Sequence, residues 1–309
     1  MRRAAFLALT RGVMLAALFA GQTFSLEAAA RKPLRTVSDD LSRALEVAQP
    51  PLRIVSLTPG ATEMLFAAGA GGQLIATVQY SSEPPAARSV PRIGDVAAID
   101  MERLVALQPD VVIAWPAGGN PAQRAKIGAL GIPLYQQQVA RLADLPGSLR
   151  RLGVLAGTEA VADPAAAALE ARLKALEQTY SGVSLQGHRP TVLLQVWNRP
   201  IYTIGGRHLM SDALELCGAR NVFADLPEPA PLVSIEAVIG RNPDIILAAA
   251  PPGEGAAWVA DWQRLPGLAA VRNHRVVAFE NQALSRLGPS VLDATEDLCR
   301  TLARISRGS

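Results

Sequence analysis

The residue types that could do chemistry in this chain are few, and they point to binding rather than bond-making. The three histidines, His188, His208 and His274, lie in three different segments. A zinc site wants His clustered with Cys or carboxylate, so no metal site is expected. No Gly-x-Ser-x-Gly nucleophile elbow occurs. Ala68-Gly69-Ala70-Gly71-Gly72 resembles a phosphate loop, but it follows a helical pattern and no Lys-Ser/Thr completes it. It reads as a helix end and turn, and no catalytic residue is expected.

Binding chemistry has better candidates. Aromatic residues make up 5% of the chain. Tyr80 and Trp115 end two apolar, strand-like runs, and Trp197 ends a third, with Tyr202 across the following turn. Open parallel sheets bind ligands outside the carboxyl ends of their strands. Scarce aromatics gathered there fit stacking walls for a large flat or amphipathic ligand; capping of the core is the competing reading. Arg286 follows the last strand-like run and would bring a planar fork of donors to the same edge.

A repeat organises the elements that must position these residues. Residues 99–114 and 233–248 share a skeleton: Glu, an apolar helical turn, Pro-Asp, then an apolar strand. The two copies sit 134 positions apart, beyond the roughly 20–50-residue period of a solenoid. They imply two similar lobes with a cleft between them, where ligands bind. Glu102 and Glu236 hold equivalent places at the openings of the repeated helices. A glutamate there complements the helix dipole, and a symmetric pair could also grip two arginines of a two-fold partner.

Around the repeat, strands alternate with helices. In the first lobe, strands are expected over 53–57, 74–79, 111–115 and 133–137, with helices over 61–68, 102–107 and 122–130. In the second, strands fall over 191–196, 202–204 and 275–279, with helices ending at 216 and spanning 289–305, besides the repeated pair over 236–249. Such alternation means βαβ units and mainly parallel sheets. The fold class is therefore α/β: two Rossmann-like lobes joined by one long helix, with the ligand cleft between lobes. The joining helix falls in 158–182, where Asp163 can cap and Pro164 suits a first helical position. The lobes take 53–157 and 188–309, and the polar, Pro-punctuated 31–52 reads as a flexible lead. One stiff linker predicts small closure, where flexible hinges would allow large closure.

The first 30 residues carry Arg2 and Arg3, an apolar run broken by Arg11, and Ala28-Ala29-Ala30. This is the pattern of a cleaved secretory signal peptide. No Cys lies near the cleavage point to take a lipid, so a free, soluble periplasmic protein is expected. Removing 1–30 leaves 27 basic against 26 acidic residues, a net of +1. Nucleic acid would want a clustered basic face, and none is present. The remaining 279 residues suit two domains. Cys217 and Cys299 are the only cysteines. In an oxidising compartment such a pair forms a disulfide, the alternative being two buried thiols.

Four segments then resemble a known family. Arg53-Ile54-Val55-Ser56-Leu57-Thr58-Pro59-x-x-Thr62-Glu63, Tyr80-Ser81-x-x-Pro84-Pro85, the run from Glu102 through Pro109-Asp110 to Trp115, and Leu216-Cys217-Gly218 are similar to the periplasmic cobalamin-binding proteins. These belong with the helical-backbone substrate-binding proteins of ABC importers for cobalamin, haem and ferric siderophores. The likeness covers about residues 51–306. It implies a monomeric carrier, not an enzyme, with no cofactor of its own, that delivers cobalamin or a related corrinoid to a permease dimer and its ATPase. Haem or a ferric siderophore is the alternative cargo; a metal-binding protein or enzyme using the cleft is the remote one. By the same likeness Tyr80 and Trp115 stack on ligand, Arg286 contacts it, Glu102 and Glu236 dock the lobes on permease arginines, and Cys217 pairs with Cys299. Val96 stands where the family has a cleft Trp, Gln282-Ala283 replaces an Asp-Trp, and Ala230 replaces another Trp, so the cleft is less aromatic.

Overall fold

The computed structural model describes residues 33–308 apart from Pro51 and Ala117. The expected signal peptide lies outside the described residues. Among the described residues, ten strands and ten α-helices follow in chain order. The first two, β1 (Leu34–Ser38) and β2 (Ala44–Ala48), form an antiparallel hairpin. This corrects the flexible lead expected over 31–52. The polar residues that suggested flexibility are partnered: Asp39 Oδ1 accepts from the N–H groups of Leu41 and Arg43, both at 2.9 Å, closing the turn. Asp40 accepts from Tyr135 Oη (2.9 Å), Ser148 Oγ (2.6 Å) and Arg151 Nε (2.8 Å), fastening the hairpin to the first lobe. Val37 and Val47 are buried beneath it.

The first sheet comprises β3 (Ile54–Ser56), β4 (Leu74–Ala76), β5 (Val111–Ala114) and β6 (Leu134–Gln136), all parallel, in the order β4-β3-β5-β6. The second comprises β7 (Thr191–Gln195), β8 (Arg220–Asn221), β9 (Ile245–Ala248) and β10 (Val276–Ala278), in the order β10-β9-β7-β8. Counted within each lobe, both orders read second, first, third, fourth. The strands are shorter than the sequence suggests. The one expected over 202–204 is only an isolated bridge, in which Tyr202 pairs with Trp197 and Leu232.

The repeat forms α2 (Met101–Ala106) with β5, and α7 (Ile235–Arg241) with β9. Its skeleton has a physical reason at each step. Asp100 and Ser234, equivalent in the repeat, cap the helices by accepting from Arg103 N and Ala237 N. Gln108 and Asn242, also equivalent, take the left-handed conformation just past each helix, with φ of 44° and 43°. The Pro-Asp aspartates then tie each third strand to the start of the first: Asp110 Oδ2 accepts from Arg53 N at 2.7 Å, and Asp244 Oδ2 from Thr191 N at 2.9 Å.

Side chains along the sheets alternate between two cores, as a strand's period of two requires. Ile54, Val111, Ile113, Val192, Leu194, Ile245 and Leu247 face one continuous core shared by both lobes. Val55 and Val112 face a core of the first lobe alone, and Leu193 and Ile246 one of the second. The shared core is filled by α1 (Pro59–Ala67), α4 (Leu145–Ala156), α6 (Leu209–Leu216) and α10 (Val291–Ser306). The long helix α5 (Glu159–Tyr180) contributes Ala162 and Ala166 to it and packs Ala165, Leu169, Leu173 and Tyr180 against it. Thr158 stands at the cap position of α5 and Pro164 lies inside it, correcting the capping role expected of Asp163. Pro164 is the sixth residue of the helix, so its missing N–H leaves out one bond, to the carbonyl of Ala160.

Polar links reinforce the junction. Asp212 of α6 accepts from Leu142 N at 2.7 Å and pairs with Arg141 at 3.2 Å. Arg172 of α5 pairs with Asp293 and Glu296 of α10 at 2.6 and 3.2 Å. The Cys217–Cys299 disulfide joins the end of α6 to α10, with Cα atoms 4.7 Å apart. Among the described residues no helix is long and apolar enough to cross a membrane.

Candidate ligand-binding cleft

The carboxyl ends of both sheets open on a cleft. One cavity of about 700 Å³ has walls from the first lobe (Thr58, Tyr80, Val96, Trp115) and from the second (Trp197, His208, Phe279, Arg286). A second, of about 620 Å³, continues past Trp115, His208 and Leu287, which belong to both. Pockets for drug-sized ligands run about 300–1,000 Å³, so the pair leaves room for a larger guest. Among the described residues no group of three His, Cys, Asp or Glu could hold a metal.

In the first lobe the wall rests on a buried hydroxyl network. Thr62 Oγ1 lies 2.6 Å from Thr77 Oγ1 and donates to Ser56 Oγ at 3.0 Å, while Thr77 donates to Ser81 Oγ at 2.9 Å. Ser56 and Thr62 belong to the Ser-Leu-Thr-Pro-x-x-Thr motif and Ser81 to the Tyr-Ser motif; Thr77 joins them. Anchoring Ser81 inside holds its neighbour Tyr80 at φ 65°, a conformation an L residue enters at a cost of about 1–2 kcal/mol. The phenol is thereby turned outward and is 81% exposed. Trp115 follows β5 and is half-buried against Gly118, where a Cβ would sit 2.0 Å from its Cε3.

In the second lobe, Trp197 stands at the end of β7, 54% exposed. Tyr202 N donates to Trp197 O at 3.1 Å, closing the turn between them. Tyr202 is not among the residues lining either cavity; its bridges to Trp197 and Leu232 hold it at the flank. Arg286 lines the larger cavity, and no described residue accepts a hydrogen bond from its guanidinium. Behind it, Glu63 of α1 accepts from Ser290 N and Ser290 Oγ, so the two lobes meet directly under the cleft. Burial raises the Glu63 pKa, against the Ser290 bonds and the Arg286 charge, which lower it.

Of the expected ligand residues, Tyr80, Trp115, Trp197 and Arg286 converge on one cavity and Tyr202 does not. The family departures fall unevenly: Val96 and Gln282 line the cavity, whereas Ala283 and Ala230 do not. Sequence reasoning passed over His208, which lines both cavities. Its Nδ1 accepts from Met210 N at 3.1 Å, capping α6, and burial lowers its pKa to about 4. Its place after Gly205-Gly206 and before an apolar helix was the available signal.

Glu102 and Glu236 stand on the first turns of α2 and α7, both exposed. A helix leading into a parallel strand runs back across the sheet, so its N-terminus lies toward the strands' carboxyl edge. Each lobe therefore presents one glutamate at the cleft edge. One turn on, the equivalent residues Val105 and Ile239 are 46% and 48% exposed.

The periplasmic binding protein family model matches residues 54–283. A vitamin B12-binding protein of Vibrio cholerae is 37% identical over 254 residues, covering 82% of this chain and 90% of the relative. One from Pectobacterium carotovorum is 34% identical over 84% of this chain and 91% of the relative. Among solved structures, the periplasmic vitamin B12 binding protein BtuF of Vibrio cholerae superposes with a TM-score of 0.74 at 34% identity, over 82% of this chain and 98% of that one. The periplasmic heme-binding protein RhuT of Roseiflexus gives 0.70 at 26% identity, over 82% and 98%. With two matching lobes, a cleft at the carboxyl ends of both sheets and a family match over most of its length, this chain belongs to the periplasmic binding protein family.

Proposed function

We propose that this chain carries cobalamin, or a related corrinoid, across the periplasm to an inner-membrane ABC importer. Like its family it binds and does not catalyse. The observation that carries the reading is the cleft itself: exposed Tyr80 and Trp197 and half-buried Trp115 surround one cavity, in a chain whose vitamin B12-binding relatives match it over four-fifths of its length. The flat faces of the aromatics suit a macrocycle, and Arg286 supplies hydrogen bonds at its rim. No resident cofactor takes part. In this reading residues 1–30 are removed on export and the mature, monomeric protein is free in the periplasm.

Delivery rests on the twinned glutamates. One exposed carboxylate per lobe, each beside an exposed β-branched residue, matches a permease dimer that offers the same patch twice. Closure by sliding of packed helices suits the shared core better than a wide hinge. Haem is the second reading, favoured by the likeness to RhuT and by Val96 in the cleft wall.

Titration of the purified protein with cobalamin, haem and a ferric siderophore, followed by tryptophan fluorescence, tests the cargo. Saturation by cobalamin below about 10 µM, a binding energy of roughly 7 kcal/mol, is expected. No response to cobalamin at that level, with saturation by haem, would transfer the assignment to haem. Reversing charge at both Glu102 and Glu236 should abolish uptake in cells and leave cobalamin affinity unchanged; loss of affinity would remove the docking role.

A further inference from the structure

We propose that His208 is a specificity-determining residue of the cleft: a hydrogen-bond donor, through Nε2–H, to an uncharged carbonyl oxygen of the ligand, such as a carboxamide on a corrin rim. The inference rests on the cobalamin reading above and adds which protein atom reads the ring's edge.

The argument begins at the backbone. Helix α6 opens with amide groups that lack intrahelical partners, and the Met210 N–H finds its acceptor in His208 Nδ1 at 3.1 Å. A backbone N–H can only donate, so Nδ1 carries a lone pair and the ring proton of the neutral imidazole sits on Nε2. The helix therefore fixes the tautomer. No described residue accepts from Nε2, while His208 lines both cavities, as Trp115 and Leu287 do. Burial holds the imidazole neutral, with its pKa lowered to about 4. Asp212, one turn further along α6, is held by Leu142 N and Arg141; Arg207 and Glu215 line the smaller cavity and Arg286 the larger one.

A neutral donor in a half-desolvated wall favours a neutral acceptor. The same geometry disfavours His208 as a metal ligand. Binding a metal through Nε2 requires that nitrogen to lose its proton, and the proton's other seat, Nδ1, is the cap acceptor. Coordination would thus cost the cap, about 1 kcal/mol. Carbonyl oxygens on a ring's edge, rather than the metal at its centre, are what this side chain can read without loss.

His208→Ser separates the two roles, because serine caps helices well but cannot reach the cavity. Cyanocobalamin affinity should fall about 10-fold, the worth of one hydrogen bond of ~1.4 kcal/mol, while the melting temperature stays close to that of the wild type. His208→Asn, another capping residue with a shorter reach, should also weaken binding and serves if the serine variant does not fold. Wild-type affinity in a folded capping variant would reduce His208 to a cap and overturn the proposal. So would absorption bands of aquocobalamin that shift on binding to the wild type but not to His208→Ser, which would make the residue a cobalt ligand. If the folded wild-type protein binds no corrinoid at all, the cobalamin reading falls and takes this inference with it; binding by the wild type with an unchanged variant removes this inference alone.

Discussion

Gly118→Ala should weaken ligand binding without removing any group that touches the ligand. An added Cβ would lie 2.0 Å from Cε3 and 2.4 Å from Cζ3 of Trp115. Ordinary contact begins near 3.4 Å, so the indole must retreat by about 1.4 Å. Binding groups need to sit within about 0.5 Å of their productive place, and the stacking of an aromatic pair is worth about 0.5–1.5 kcal/mol beyond its buried area. Losing most of that predicts about a 5- to 10-fold rise in Kd for cyanocobalamin, measured by calorimetric titration. Trp115→Ala, which deletes the wall, should cost 2 kcal/mol or more, about 30-fold. Gly118 does not need a left-handed backbone, and alanine restricts the unfolded chain, so thermal stability should change little. Wild-type affinity for Gly118→Ala beside a crippled Trp115→Ala would refute the reasoning: the ring would matter and its position would not. Unchanged affinity in both variants would remove Trp115 from the wall.

Two further outcomes concern stability. Reducing the Cys217–Cys299 disulfide frees a loop of 82 residues and should cost up to about 4.5 kcal/mol in the chain-entropy picture. Neither cysteine lines the cleft, so a lowered melting temperature with unchanged ligand affinity is expected, and an affinity loss equal to that of a cleft variant would contradict it. Acidification should destabilise the fold through His208. Its folded pKa, about 4, lies below the 6.5 of an unconstrained histidine, so between these values the unfolded chain binds the extra proton. Stability is complete above pH 6.5 and falls by up to about 1.4 kcal/mol per pH unit toward pH 4. Asp244 adds to the same trend at lower pH. Burial raises its pKa, but bonds from Thr191 and His188 outweigh that and hold it below the usual value. Denaturant unfolding across this range should show a shallower slope for His208→Asn than for the wild type; equal slopes would remove the histidine from the account.

Much of the architecture was legible because its signals are local. The Glu to Pro-Asp repeat announced two lobes, and every part of it proved to act within a few residues or on the adjoining strand: the caps at Asp100 and Ser234, the left-handed turns at Gln108 and Asn242, and the ties from Asp110 and Asp244. Helix α4 was overlooked although Leu145, Leu149, Leu152 and Ala156 recur at helical spacing ahead of Gly157; Pro146 and Gly147 at its start masked the pattern. The hairpin over 33–49 was misread for a different reason. Asp39, Asp40 and Arg43 look like solvated residues until the partners of Asp40, some 95 to 111 positions away, are brought beside them.

By itself, then, the sequence determined the α/β alternation, the doubling of the lobe, the long joining helix, and the placing of Tyr80, Trp115 and Trp197 past strand ends and of Arg286 after the last strand, because periodicity, capping and strand polarity are written within short windows. Tertiary structure alone decided that both sheets share one core, that Tyr202 stays at the flank, and that His208 faces the cavities with its proton on Nε2. These depend on which distant segments pack together: the walls of the cleft are drawn from stretches as far apart as Thr58 and Leu287, and no local pattern encodes what lies across an empty space.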